Sequence, residues 1–168
     1  MGDTTQKIIA ETKNWILNVV IANNFCPFAA KAMMDNRIRY SVIDRHCDKP
    51  FLDMLKDEFI YYDNNSELDT GFIILDGLCD DFDQFLDILT YAEEALVDMA
   101  YEGIYQFAHF HPQYLFGGSS EDDPANYTNR SIYPMLQILR ESTIEKALMH
   151  YPDPESIPVR NIALCIKM

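Results

Sequence analysis

The chain has 168 residues, 48% of them apolar, and carries 27 acidic against 13 basic residues for a net charge of -14. That size and apolar content suit one globular domain over residues 1–168 with a core of its own. The acids are spread along the chain and leave no basic face for a phosphate backbone, which argues against a nucleic-acid partner.

The run Ile8 to Ala22 contains Lys13, Asn14 and Asn18. It has neither the length of a membrane span nor the charged start and cleavage site of a signal peptide, so no membrane partner and a cytoplasmic location are expected. Cys26, Cys47, Cys79 and Cys165 stand far apart with no CxxC pair, which indicates neither a zinc knuckle nor a disulfide framework. Nothing in the pattern fixes an oligomeric state.

Ile8, Trp15, Ile16 and Val19 share one helical face and Asp3 or Thr4 suits the cap, which predicts a helix over residues 5–22 that ends at Asn23-Asn24. Phe25-Cys26-Pro27-Phe28 precedes a short helix-favouring run, Ala29 to Met34, and Pro27 sets Cys26 at or beside that helix's start. Ile38, Tyr40 and Val42 alternate with polar residues as in a half-buried strand. Asp48 and Pro50 open a helix with Phe51, Leu52, Leu55 and Phe59 inward, and Gly71 to Leu75 reads as a central strand covered on both faces. A helix begins at Asp80 or Asp81, buries Phe82, Phe85, Leu86, Leu89 and Leu96, and stops at Gly103. Ile104 to Phe110 is a third strand.

Beyond a long loop, Pro134 reads as the start of a helix with Met135, Ile138 and Leu139 inward. Ser142 and Glu145 form a capping box for a short helix to about His150, and a last helix starts near Val159. Together the elements predict an α/β domain, with α+β the other arrangement open to this order. Its sheet is small and three-stranded, at least partly parallel through right-handed crossovers, and packed with about six helices.

The loop His109 to Pro134 gathers most of the candidate chemistry: two histidines, Gly117-Gly118, the acids Glu121 to Asp123, and Arg130 between Asn129 and Ser131. Long irregular connections inside compact domains usually serve a function, and this one is too aromatic for disorder. It also follows directly on a strand, where ligands of layered sheets collect.

Three separated motifs carry a family resemblance. Asn24-Phe25-Cys26-Pro27-Phe28-Ala29 follows the first helix, Phe110-His111-Pro112-Gln113-Tyr114-Leu115-Phe116 follows a strand, and Thr128-Asn129-Arg130-Ser131-Ile132-Tyr133-Pro134 comes after Asp122-Asp123 and Asn126. With Leu139-Arg140-Glu141 and Arg160-Asn161-Ile162-Ala163, the chain resembles the bacterial family catalogued as domain of unknown function 1415 over nearly its whole length. The resemblance implies motif positions rather than an activity. Cys26, His111, Asp122, Asp123, Asn126, Asn129 and Arg130 match them, and His109 departs from the pattern.

The leading functional expectation is an enzyme acting on a small anionic metabolite, with no cofactor required. Cys26, at a helix start, is the nucleophile or redox thiol, His111 the acid or base, and Asn126 or Asn129 the group that orients the imidazole. Arg130 forks onto the anion, with Asn129, Ser131 and Tyr114 as further binding residues. A second reading is a divalent-metal site, since His109 and His111 lie two apart on a strand face and Asp122 or Asp123 supplies an acid. The third is a non-catalytic module in which the motif residues hold the loop in shape, with Arg130 paired to Asp122 or Asp123.

Overall fold

The face marked by Ile8, Trp15 and Ile16 is buried as expected. Helix α1 (Gly2–Trp15) carries it and runs on into a wider turn over Ile16–Ile21. There the N–H groups of Ala22 and Phe25 reach five residues back, to the carbonyls of Leu17 and Val20. The run ends where Asn24 takes a left-handed conformation (φ 53°), which asparagine tolerates better than most residues. The structure, a computed structural model, describes residues 2–167.

Six further helices and strands lead to the long loop: α2 (Ala29–Met34), β1 (Ile38–Asp44), α3 (Phe51–Asn64), β2 (Thr70–Asp76), α4 (Phe82–Asp98) and β3 (Tyr105–Phe110). After the loop come β4 (Met135–Arg140), α5 (Glu141–Leu148) and α6 (Ser156–Cys165). The α/β class holds, but the sheet has four strands rather than three, in the order β1-β2-β4-β3. β1 and β2 are parallel, while β4 runs antiparallel to both β2 and β3.

The added strand is the segment after Pro134 that reads as a helix in sequence. Met135, Ile138 and Leu139 do fall at helical spacing. The six-residue run, however, lies in the middle of the sheet, with Leu136 opposite Ile73 and His109. Both of its faces are covered, so its apolar residues fall in the pairs Met135-Leu136 and Ile138-Leu139 around Gln137 and lack the alternation by which a half-buried strand is recognised.

Helices pack on both faces of the sheet. On one, Ile73, Leu75, Leu136 and Ile138 meet Leu55 and Phe59 of α3 and Phe85 and Leu89 of α4. On the other, Phe72, Ile74 and Met135 meet Ile8, Trp15 and Ile16. Full burial of a side chain of this size contributes about 1.5–3 kcal/mol, which is why these two clusters set the layer order.

Several helix ends differ from the sequence reading. α1 already includes Gly2, so neither Asp3 nor Thr4 caps it. Asp81 caps α4 through bonds from the N–H groups of Asp83 and Gln84, but the stop comes at Ala100 (φ 60°), ahead of Gly103. The Tyr101 N–H reaches back to the Leu96 carbonyl at 2.8 Å and satisfies it, which offsets the cost of a left-handed alanine. α5 follows β4 with Arg140 at its N-cap and no side-chain capping bond, so the Ser142–Glu145 box does not form. α6 starts at Ser156, one short turn before Val159.

Candidate functional site

His111 is fully buried, and both of its ring nitrogens are in use. Nδ1 accepts the Gln113 N–H at 3.0 Å, so the proton sits on Nε2, which donates to the Cys79 carbonyl at 3.1 Å. The ring packs among Phe82, Phe85 and the α4 layer. Burial lowers its pKa below the ordinary 6.5, against weaker upward effects of the Cys79 carbonyl, Asp81 and Asp80. The outcome is a neutral imidazole that ties the end of β3 to the turn before α4.

The other loop residues bind the loop to itself. The buried Asn126 amide accepts the Phe116 N–H and the Ser119 hydroxyl and donates to the Ser120 and Glu121 carbonyls. Asn129 donates to the His109 carbonyl, and its own carbonyl accepts the His111 N–H. Arg130 spends its fork on the Tyr114 and Glu121 carbonyls and lies over the Tyr127 ring, instead of pairing with Asp122 or Asp123. Asp123 caps the short turn Pro124–Thr128 through the Ala125 N–H, Ser131 donates to the Tyr133 carbonyl, and Asp122 is exposed.

His109 stacks on the buried Tyr114 ring at 5.4 Å and approaches Phe85, and burial lowers its pKa. Both histidines thus share one face, as their spacing predicts. Among the described residues, however, no three His, Cys, Asp or Glu side chains gather as a metal-ligand set. His111 in particular offers no unengaged nitrogen.

Cys26 lies with the α1–α2 layer. Its thiol is hydrogen-bonded to the backbone at Phe28 and Ala29, yet burial outweighs this and raises its pKa, opposite to the activation expected at a helix start. Asn161 of α6 holds the Phe25 carbonyl at 2.7 Å, and Arg160 holds the Asn24 carbonyl and the Tyr151 hydroxyl. No hydrogen bond among the described residues joins Cys26 to His111, Asn126 or Arg130. The loop residues bond to one another, while the Cys26 thiol bonds to the backbone beside it.

A cleft opens instead beside this frame, at the carboxyl ends of β1, β2 and β3. It encloses about 350 Å³ and is lined by Arg45, Asp76, Gly77, Asp80, Pro112, Gln113, Ile132, Tyr133 and Pro134. Gly77 has φ +67°, and a Cβ there would collide with the Arg45 guanidinium, so this glycine gives the guanidinium its seat. Of the six arginines, Arg45 is the one whose guanidinium has no hydrogen-bond or ion-pair partner among the described residues. Tyr133 donates to Glu11 on the far side of the cleft wall; burial first, then Glu11 and Asp76, push its phenol up to about 12, so it stays protonated. Arg45 belongs to none of the sequence motifs, and its place one residue past a strand's carboxyl end is the available signal.

Neither the curated proteins nor the solved structures give a match to the chain. A family model described as protein of unknown function (DUF1415) matches residues 7–168, which covers all the motif residues and every strand. By that match the chain belongs to the DUF1415 family.

Proposed function

We propose that the protein binds a small molecule carrying both an anionic group and an amine in the cleft at the strand ends. Arg45 is the anion anchor, and Asp76 and Asp80 receive the amine. The observation that carries this is the unpaired Arg45 guanidinium: in a chain of net charge -14 the other five arginines all engage protein acceptors, while this one borders a cleft. A purely anionic ligand would meet two carboxylates for one guanidinium. A zwitterion of the α-amino-acid kind meets complementary charge at each end.

In this reading the loop is the frame of the site. The engagement of both His111 nitrogens, the closed Asn126 network and the carbonyl contacts of Arg130 support a framing role for the motif residues. They favour it over chemistry between Cys26 and His111, as does the raised thiol pKa. A cleft of about 350 Å³ lies at the small end of ligand pockets, which suits a compact head group.

The test is a thermal-shift series with L-amino acids, acetate, inorganic phosphate and simple alkylamines. Saturation at a hundredfold excess over Kd adds about 2.7 kcal/mol of stability. In a chain of this length that raises Tm by roughly 5–10 °C. Amino acids are expected to produce such a shift, the single-charge compounds to fall well short of it, and Arg45→Met to abolish it. Equal shifts with acetate, or a shift that survives Arg45→Met, would refute the assignment.

A further inference from the structure

At Tyr133 the cleft borders a second space. Ile132 and Tyr133 are walls shared with a second, more open groove of about 550 Å³ that runs along α1 and the wider turn after it. The far wall of the groove comprises Glu11, Asn14, Trp15, Asn18 and Val19, which recur at three- and four-residue steps and so form one face. The Tyr133–Glu11 hydrogen bond fixes the tyrosine ring at the border between the two spaces.

The groove's chemistry differs from the cleft's. Glu11 is engaged by Tyr133, and Lys7 stands 3.8 Å from it, so its charge is partly answered. Asn14 and Asn18 are exposed, and their side-chain amides have no hydrogen-bond partner among the described residues. Between them Trp15, Val19 and Ile132 supply apolar surface. Paired donors and acceptors beside an apolar strip suit an uncharged amide followed by an alkyl or aryl group.

We infer that the groove is the second half of the ligand site, so that the zwitterion in the cleft is the head of a longer α-amino acid. Its side chain passes Tyr133 and lays an amide against Asn14 and Asn18 and an apolar end against Trp15 and Val19. The inference rests on the cleft reading above, and its basis is adjacency: Ile132 and Tyr133 line both spaces, so a ligand of this length reaches the groove by crossing them.

Two probes separate head from tail: L-alanine, which is head alone, and L-glutamate γ-anilide, which adds an amide and a ring. Calorimetry gives each affinity, and the fluorescence of Trp15, the chain's single tryptophan, reports on the groove. L-Alanine is expected to bind without changing Trp15 emission. The anilide is expected to bind at least about tenfold tighter, a gain typical of one added set of good contacts, and to change that emission. The double variant Asn14→Ala, Asn18→Ala, both at exposed positions, should bring the anilide down to the affinity of L-alanine and leave L-alanine unaffected. If the anilide binds no tighter, leaves Trp15 unchanged, or is indifferent to the double variant, the tail assignment is overturned while the cleft reading stands. If neither probe binds the wild-type protein, both are overturned.

Discussion

The Nε2–H of His111 donates to the carbonyl of Cys79 across 3.1 Å, and so fastens the end of β3 to the turn that leads into α4. Burial holds the pKa of His111 and of His109 below the ordinary 6.5. As pH falls through 6.5 the unfolded chain takes up protons that the folded chain refuses, so the stability present above that pH is lost below it, until the folded-state pKa is passed. His111→Gln should lower stability by about 1–3 kcal/mol near neutrality through the broken buried contacts. The gap from the wild type should then narrow toward about pH 5. Melting curves across pH decide it; parallel profiles for the two proteins would contradict the buried neutral imidazole.

Gly77→Ala and Gly118→Ala form a matched pair, since both glycines have positive φ, but a Cβ meets Arg45 only at Gly77 and open space at Gly118. Each substitution should cost about 1–2 kcal/mol for left-handed backbone. Only Gly77→Ala should also abolish the amino-acid-induced rise in Tm, because it displaces the guanidinium from its seat. Loss of that rise in both variants would mean the effect is general.

Asn126→Ala removes a fully buried side chain and, with it, the partner of the Phe116 N–H and the Ser120 carbonyl. Each part-buried hydrogen bond so lost costs about 0.5–1.5 kcal/mol. Chemical denaturation should show a lowered midpoint, and limited proteolysis should cut the variant first between residues 116 and 121. A variant as stable as the parent would remove Asn126 from the frame.

Thiol reactivity should follow exposure and pKa rather than motif membership. Cys47 is exposed, Cys26 and Cys165 are partly buried with raised pKa, and Cys79 is buried and pushed up to about 12. Iodoacetamide at neutral pH should therefore modify Cys47 well before Cys26. Mass spectrometry of the digested protein reads the order, and faster labelling at Cys26 would restore it as an activated nucleophile.

The helices and β1 are legible through apolar patterns with recognisable boundaries, as with Asp81 ahead of α4, and β2 through its unbroken apolar run. β4 is not, because Gln137 interrupts its apolar run and Met135, Ile138 and Leu139 match the helical period. The loop was recognised as a concentration of polar residues, but sequence cannot say whether a polar side chain faces a ligand or its own backbone. Arg130 and Asn126 face backbone; Arg45, one residue past the carboxyl end of β1, faces the cleft.

The placement of β4 also fixes how the domain can assemble. The last strand in the chain is the one that joins β2 to β3, which do not touch each other. β3 therefore has no partner, and two pre-formed edges stay open, until residues 135–140 arrive and close a long stretch of chain. That closure also completes the cleft, whose walls come from the ends of β1, β2 and β3 and the residues just before β4. A ligand in the cleft therefore meets only the closed sheet, and a chain stalled before closure exposes an unpaired strand that invites association with its neighbours.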